Sequence, residues 1–346
     1  QFSESPYQDK DILGDRKGYS LGLGFNFGNY NLDFAFVRTE QKSEDISTNK
    51  PINKTATLEF KIKARLGEGA IWNQKTDELY WVDIEGKTLN IYNPKTKTNK
   101  TLNTPTRIGT VVPYTKNEAV VALEDGIYSI NLNSNALKLI SDVEAKVTTN
   151  RFNDGKCDPN GNLWVGSMHY PQTLPNAKLY KVDPQGNATA MVDSVTISNG
   201  IVWTKDTKKM YYIDTPTGTI KSYDYDIKTS TITNEKIAVY VPESLGYPDG
   251  MTIDQDNLLW VGLWNGNGIA QFDPITGKLL QKIDVPAHNV TSCAFGGDNL
   301  DILYITTSTE DMTEEEQKKY PLAGSIFKVK PGAKGVPAYF FNETVR

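Results

Sequence analysis

From residue 56 onward, short apolar strand centres recur at an interval that few folds can use. They fall at Tyr80, Val120, Trp164, Tyr211, Trp260 and Tyr304, between 40 and 49 residues apart. Each is followed by a second strand and a turn: Leu89 to Asn93, Ile127 to Asn131, Leu179 to Asp183, Ile220 to Asp224, Ile269 to Asp273 and Ser325 to Lys330. A unit of four short strands repeated every ~40–50 residues stacks as blades around an axis. A β-sandwich would not repeat with this period. The expected fold is all-β, a six-bladed β-propeller. The strand Thr57 to Ala64 is expected to close the ring by joining the last blade beside Ser325 to Lys330 and Ala338 to Phe341. Helical periodicity is weak throughout. The one candidate, Thr313 to Lys319, reads as a short turn inside the last repeat.

A second regularity rides on the first. Asp249-Gly250 stands before Met-Thr-Ile, and Asn199-Gly200 before Ile-Val-Trp. Glu68-Gly69 stands before Ala-Ile-Trp, and Asn153-Asp154-Gly155 before Lys-Cys-Asp. One position of the repeat is therefore filled by an oxygen-bearing side chain at the entrance to an inner strand. Arranged around an axis, Glu68, Asn153, Asn199 and Asp249 converge. Two carboxylates and two amides form an all-oxygen set suited to a hard cation such as calcium, magnesium or manganese. The plainer reading treats Asp249-Gly250 and Asn199-Gly200 as ordinary turn dipeptides. Glu68-Gly69 has less turn preference, so its presence in the same phase favours a site. His169 and His288 fall outside this register, which argues against a histidine-built zinc site or a Ser-His-Asp triad.

Arg151, two residues before Asn153, is either a surface arginine or a guanidinium aimed at substrate oxygens. Asp154 is read as a turn cap and Lys156 as an inner-strand residue. Trp72, Trp164, Trp203 and Trp260 occupy strand positions of four repeats and read as blade packing.

Composition removes other classes. The net charge of −5 and the lack of a long basic run exclude nucleic acid as the expected partner. No stretch reaches the ~18 apolar residues of a membrane helix. Cys157 and Cys293 lie in strand-like runs and read as two buried thiols. The first 55 residues differ from the rest. Tyr19 to Phe27 and Tyr30 to Val37 alternate in polarity around Gly28-Asn29, a two-stranded hairpin. Such strands resemble an outer-membrane barrel hairpin, but one hairpin cannot close a barrel. An extra hairpin on the main domain, or a remnant of a neighbouring module, is the expectation, with residues 38 to 55 as linker. The chain thus divides into 1–55, hairpin and linker, and 56–346, propeller. It opens on Gln1 without a leader pattern, and a cytoplasmic location is expected, with the periplasm as alternative.

Several motifs in order now carry a family resemblance. They are Leu-Gly-Glu-Gly-Ala-Ile-Trp at 66–72, Arg-Phe-Asn-Asp-Gly-Lys-Cys-Asp-Pro-Asn-Gly at 151–161, Ser-Asn-Gly-Ile-Val-Trp at 198–203, Tyr-Pro-Asp-Gly-Met-Thr-Ile-Asp at 247–254 and Thr-Ser-Cys-Ala-Phe-Gly-Gly at 291–297. Over residues 57 to 341 the chain resembles the SMP-30/gluconolactonase family of regucalcin-like propellers. The resemblance implies one divalent cation, calcium first, with zinc, magnesium or manganese as alternatives. It implies Glu68, Asn199 and Asp249 as metal ligands, Arg151 and Asn153 as substrate-binding residues, and Asp249 as general base. The implied reaction is metal-dependent hydrolysis of a sugar lactone to its aldonic acid. A phosphotriesterase or aryl-ester hydrolase of the calcium-propeller type, and a non-enzymatic calcium-binding propeller, are the alternatives. One departure stands out. Regucalcin-like members carry an acidic substrate-binding residue shortly after a Gly-Thr-Met motif. Here Gly166-Ser167-Met168 is followed by His169-Tyr170-Pro171.

Overall fold

In the computed structural model, residues 18–27, 30–39 and 54–344 are described. Two compact units divide the chain, residues 1–52 and 53–346. In the first, β1 (Gly18–Phe27) and β2 (Tyr30–Thr39) pair antiparallel in continuous register, Phe27 opposite Tyr30 and Gly18 opposite Thr39. This is the hairpin expected from the alternation. Its turn, Gly28-Asn29, and most of the linker expected over residues 38 to 55 fall outside the described residues.

The second unit contains six four-stranded antiparallel sheets. Blade one is β4 (Gly67–Asn73), β5 (Glu78–Asp83), β6 (Thr88–Asn93) and β7 (Thr98–Asn103). Blade two is β8 (Ile108–Thr115), β9 (Glu118–Leu123), β10 (Gly126–Asn131) and β11 (Leu137–Ser141). Blade three is β12 (Asn150–Cys157), β13 (Leu163–His169), β14 (Ala177–Val182) and β15 (Ala188–Val195). Blade four is β16 (Ser198–Trp203), β17 (Lys209–Asp214), β18 (Thr219–Asp226) and β19 (Thr231–Tyr240). Blade five is β20 (Tyr247–Ile253), β21 (Leu259–Trp264), β22 (Gly268–Asp273) and β23 (Lys278–Asp284). Blade six combines β24 (Asn289–Gly296), β25 (Ile302–Ser308) and β26 (Ile326–Val329) with β3 (Thr57–Phe60) from the start of the unit. The first strands β4, β8, β12, β16, β20 and β24 pack each beside the next, and β24 returns to β4. The result is a six-bladed β-propeller.

The six strand centres found in the sequence all lie on second strands, where both faces are covered by neighbouring blades. Trp81, Trp164 and Trp260 there are fully buried. A polar hook accompanies two of them. Asp158 and Asp254 each turn one oxygen to the amides of the following tight turn and the other to the indole six residues on. The Trp164 Nε1–Asp158 and Trp260 Nε1–Asp254 distances are 2.9 and 2.8 Å. Asp158 also accepts from the Tyr225 hydroxyl at 3.0 Å. Buried donors must find partners, so this one carboxylate serves the turn, the indole and the phenol together. Asp158→Ala is therefore expected to lower stability by about 3 kcal/mol. Urea or thermal unfolding measures it, and an unchanged midpoint would refute the role.

One expectation needs correction. Ala338 to Phe341 adds no strand to the last blade. Pro337 lacks an N–H, and the segment instead runs along the end of the channel remote from the cavity described below. With its flanks, from Lys334 to Asn342, it bonds to five blades in turn: Gly335 N to Leu300 O (2.9 Å), Gln255 N to Lys334 O (2.8 Å), Gln74 Nε2 to Ala338 O (2.9 Å), Phe341 N to Pro113 O (2.9 Å) and Asn342 N to Gly161 O (2.8 Å). With Trp72, Trp203 and Lys156 it leaves a cavity of only about 60 Å3. The one helical candidate, Thr313 to Lys319, is a short helix, α1 (Glu314–Lys319), capped reciprocally by Thr313 and Glu316. Among the described residues, no helix is long and apolar enough to cross a membrane.

Candidate active site

Each first strand breaks its pairing with the second strand at the same height. The register shifts between Glu68 and Ile71, Ile108 and Thr110, Phe152 and Gly155, Ser198 and Ile201, Pro248 and Met251, and Val290 and Ser292. A bulge frees its residues from the ladder and re-aims their side chains. Asn153, Asn199 and Asp249 sit in these bulges and Glu68 borders one, so the four residues lie on inner strands, not in loops before them. In blade two the position is Gly109, and in blade six it is Thr291, whose hydroxyl bonds to Gly67 O at 2.5 Å. Glycine after Asn199 and Asp249 answers a close approach. A Cβ on Gly200 would lie 2.5 Å from Met251 Cβ, and one on Gly250 2.6 Å from Ser292 Oγ.

Glu68, Asn153, Asn199 and Asp249 are all buried, yet all border one cavity of about 490 Å3. Arg151 borders it too, 7% exposed, which decides against the surface reading. Its Nη1 donates to Asn153 Oδ1 at 2.6 Å and to Phe152 O at 3.0 Å. Asn153 Nδ2 donates to Ser198 O at 2.7 Å and to Asn199 Oδ1 at 3.1 Å. Asn199 Nδ2 donates in turn to Thr215 Oγ1 at 2.7 Å. A single chain of donors thus links blades three and four.

The carboxyl groups form the other half of the site. Burial pushes both Glu68 and Asp249 above the ordinary carboxylate range; the two lie within hydrogen-bonding reach, and the charge of Glu68 raises Asp249 further while that hydrogen bond partly lowers Glu68. Asp154 is the residue the sequence reading undervalued. It does cap its turn, Oδ1 accepting from Gly155 N at 2.7 Å. Its other oxygen is buried with no partner among the described residues. Burial raises Asp154 as well, and its charge bears on both Glu68 and Asp249. The available signal was that this repeat places two polar residues, not one, before its glycine.

Among the described residues, no three His, Cys, Asp or Glu side chains make a ready-made metal cluster. The donor set is mixed: two carboxylates, amide oxygens and an orphaned carboxylate oxygen nearby. Buried acids crowded this closely are costly unless a cation joins them, so the residues fit a hard divalent ion. Neither histidine borders the cavity. His288 pairs with Glu316 at 3.1 Å.

Sequence reading also missed the outer wall. Arg107 Nε meets Glu85 at 2.6 Å, and its Nη1 meets Glu124 and the Tyr170 hydroxyl, each at 3.1 Å. Where the motif after Met168 lacks a carboxylate, the wall therefore carries Tyr170, with Glu85 supplied by blade one. Tyr247 and Trp264 add aromatic surface.

The model of the SMP-30/gluconolactonase/LRE-like region matches residues 66–309. The chain belongs to this family. Among members, it is 40% identical over 275 residues to the putative sugar lactone lactonase YvrE of Bacillus subtilis strain 168, covering 80% of this chain and 94% of that one. It is 36% identical over 286 residues to regucalcin of Danio rerio, covering 82% and 97%. A solved family-like structure, a luciferin-regenerating enzyme, superimposes with a TM-score of 0.77 at 33% identity, covering 83% of this chain and all of that one. SMP-30/gluconolactonase relatives thus align across the propeller, and residues 1–65 lie outside the matched region.

Proposed function

We propose that this propeller hydrolyses a sugar lactone to its aldonic acid, with one divalent cation held by Glu68, Asn199 and Asp249. The observation that carries the reading is the meeting of three bulge residues, Asn153, Asn199 and Asp249, with Glu68 and Arg151 on one cavity wall. A relative named as a sugar lactone lactonase supports the substrate class. Relatives named regucalcin support calcium as the ion.

When bound, the cation would polarise the lactone carbonyl and offset negative charge on its oxygen. Asp249 is the general base. Its carboxylate borders the cavity, where it can take a proton from the attacking water. Arg151 commits Nη1 to Asn153 and Phe152. Its remaining donors make no protein hydrogen bond among the described residues and are left for sugar oxygens. Asn153 is locked by its own bonds and presents a fixed edge to the substrate, a positioning role.

The test is steady-state hydrolysis of gluconolactone by protein stripped with chelator and then reloaded with calcium. Turnover is expected to fall at least about 100-fold on stripping and to return on reloading. Turnover that survives complete stripping would refute metal dependence. Turnover of aryl esters or organophosphates but of no lactone would refute the substrate class.

A further inference from the structure

Thr215 touches neither carboxylate of the proposed metal site, yet its hydroxyl joins two of that site's ligand-bearing strands. It opens the 3-10 turn Thr215–Thr217 directly after β17. Its own amide donates to Ile197 O at 3.1 Å, which holds it against the start of β16. Its Oγ1 lies 2.8 Å from Pro248 O and 2.7 Å from Asn199 Nδ2.

The direction of these bonds follows from what each group can do. A main-chain carbonyl only accepts, so the single hydroxyl proton of Thr215 goes to Pro248 O. The oxygen then has only lone pairs to offer Asn199. Asn199 must answer with its NH2 group, and its carbonyl oxygen is turned away from Thr215. The far end of the relay agrees. Ser198 O accepts from Asn153 Nδ2, and Arg151, which has only donors, meets Asn153 Oδ1. Asn153 therefore reaches Asn199 through nitrogen, and the Asn199 atom that receives it is oxygen. With the amide flipped, two NH2 groups would face each other and nitrogen would replace oxygen on the side toward Asn153. The same hydroxyl also ties Asn199 in blade four to the carbonyl preceding Asp249 in blade five.

We infer that Thr215 is a positioning residue that orients the Asn199 amide oxygen for a hard cation and sets the spacing between Asn199 and Asp249. This rests on the proposed cation at Glu68, Asn199 and Asp249. Removing such an outer partner typically weakens metal binding 10- to 100-fold.

The experiment is calorimetric titration of chelator-stripped protein with calcium chloride, with thermal melting of the stripped form alongside. Wild type, Thr215→Val, Thr215→Ser and Thr215→Ala are compared. Valine keeps the shape and loses the hydroxyl, while serine keeps the hydroxyl. The expected result is a calcium dissociation constant about 10-fold or more weaker in Thr215→Val, near wild type in Thr215→Ser, with stripped-form melting temperatures within a few degrees. If valine does not fold, alanine supplies the same comparison. Equal affinity in wild type and the hydroxyl-free variants overturns the inference. So does a loss that serine shares with valine, because that would be an effect of shape. Wild-type protein that binds no calcium would overturn the cation reading itself and this inference with it.

Discussion

Asp249→Asn is expected to cut lactone turnover about a thousandfold or more and to remove most bound calcium. A thousandfold corresponds to roughly 4 kcal/mol of lost transition-state stabilisation. The substitution keeps an oxygen on nearly the same atoms. It removes one of two negative charges beside the proposed cation and the only proton acceptor assigned to the reaction. The stripped protein should respond in the opposite sense. Asp249 and Glu68 are buried side by side, and burial raises both above the ordinary range, helped by the charge of Asp154 at Glu68 and of Glu68 at Asp249, with Glu68 moving from 4.5 to about 8. A carboxyl raised in the folded state contributes stability that is fully present below its unfolded value. That stability is lost as pH rises through the folded value. Stripped wild type should therefore melt higher near pH 5 than near pH 8, with the loss falling across the window from 4.5 to about 8. Calcium should reverse the trend, because it competes with those protons. Asp249→Asn should melt higher than wild type near pH 8 when both are stripped. Metal content, initial rates and melting curves at the two pH values decide the matter. A variant with wild-type turnover, or with full metal content, would remove Asp249 from both assigned roles.

Gly109→Ala is expected to cost about 3 kcal/mol of stability and most of the activity, although Gly109 carries no functional group. At its bulge, β8 of blade two lies close against β12 of blade three. A Cβ on Gly109 would lie 2.4 Å from Phe152 O and 2.8 Å from Asn153 N. Both are main-chain atoms, so no side-chain rotation relieves the clash. Overpacking of this kind typically costs 1–3 kcal/mol, and backbone that cannot yield puts this case at the upper end. The displaced carbonyl also accepts from Arg151, and the displaced amide belongs to Asn153. The shift therefore enters the relay at its first member. Gly218→Ala is the contrast. Gly218 has φ +62, and its Cβ would have open space, with Val241 O 3.9 Å away. Only the left-handed conformation is penalised there, at about 1 kcal/mol. Chemical unfolding of both variants, with rates measured beside wild type, separates the two causes. Gly109→Ala unfolding at the wild-type midpoint with full turnover would show that the strands can part without consequence.

The fold was legible because a propeller is a local regularity repeated. Each blade is four consecutive strands, so the spacing of Tyr80, Val120, Trp164, Tyr211, Trp260 and Tyr304 reports it directly. The convergence of Glu68, Asn153, Asn199 and Asp249 was legible for the same reason, since equal phase in a ring means equal height on the axis. What the sequence could not supply lies between blades. The partner of Asn153 is 46 residues away, at Asn199, and that of Thr215 is 33 away, at Pro248. No periodicity encodes which atom of an amide faces which neighbour. The same holds for Asp154, whose turn cap was visible but whose second, unpartnered oxygen was not. It holds for Arg107, brought to the cavity wall by Glu85 and Glu124 from two different blades. The stretch Ala338 to Phe341 shows the limit most clearly. Its composition suits a strand, but the edge of the last blade is already taken by β3 pairing with β26. With that edge occupied, its backbone groups find partners only along the far end of the channel. Local pattern thus determined the blades and the height of the site. Contacts between blades decided the orientation of each site group, because hydrogen-bond direction depends on neighbours distant in the chain.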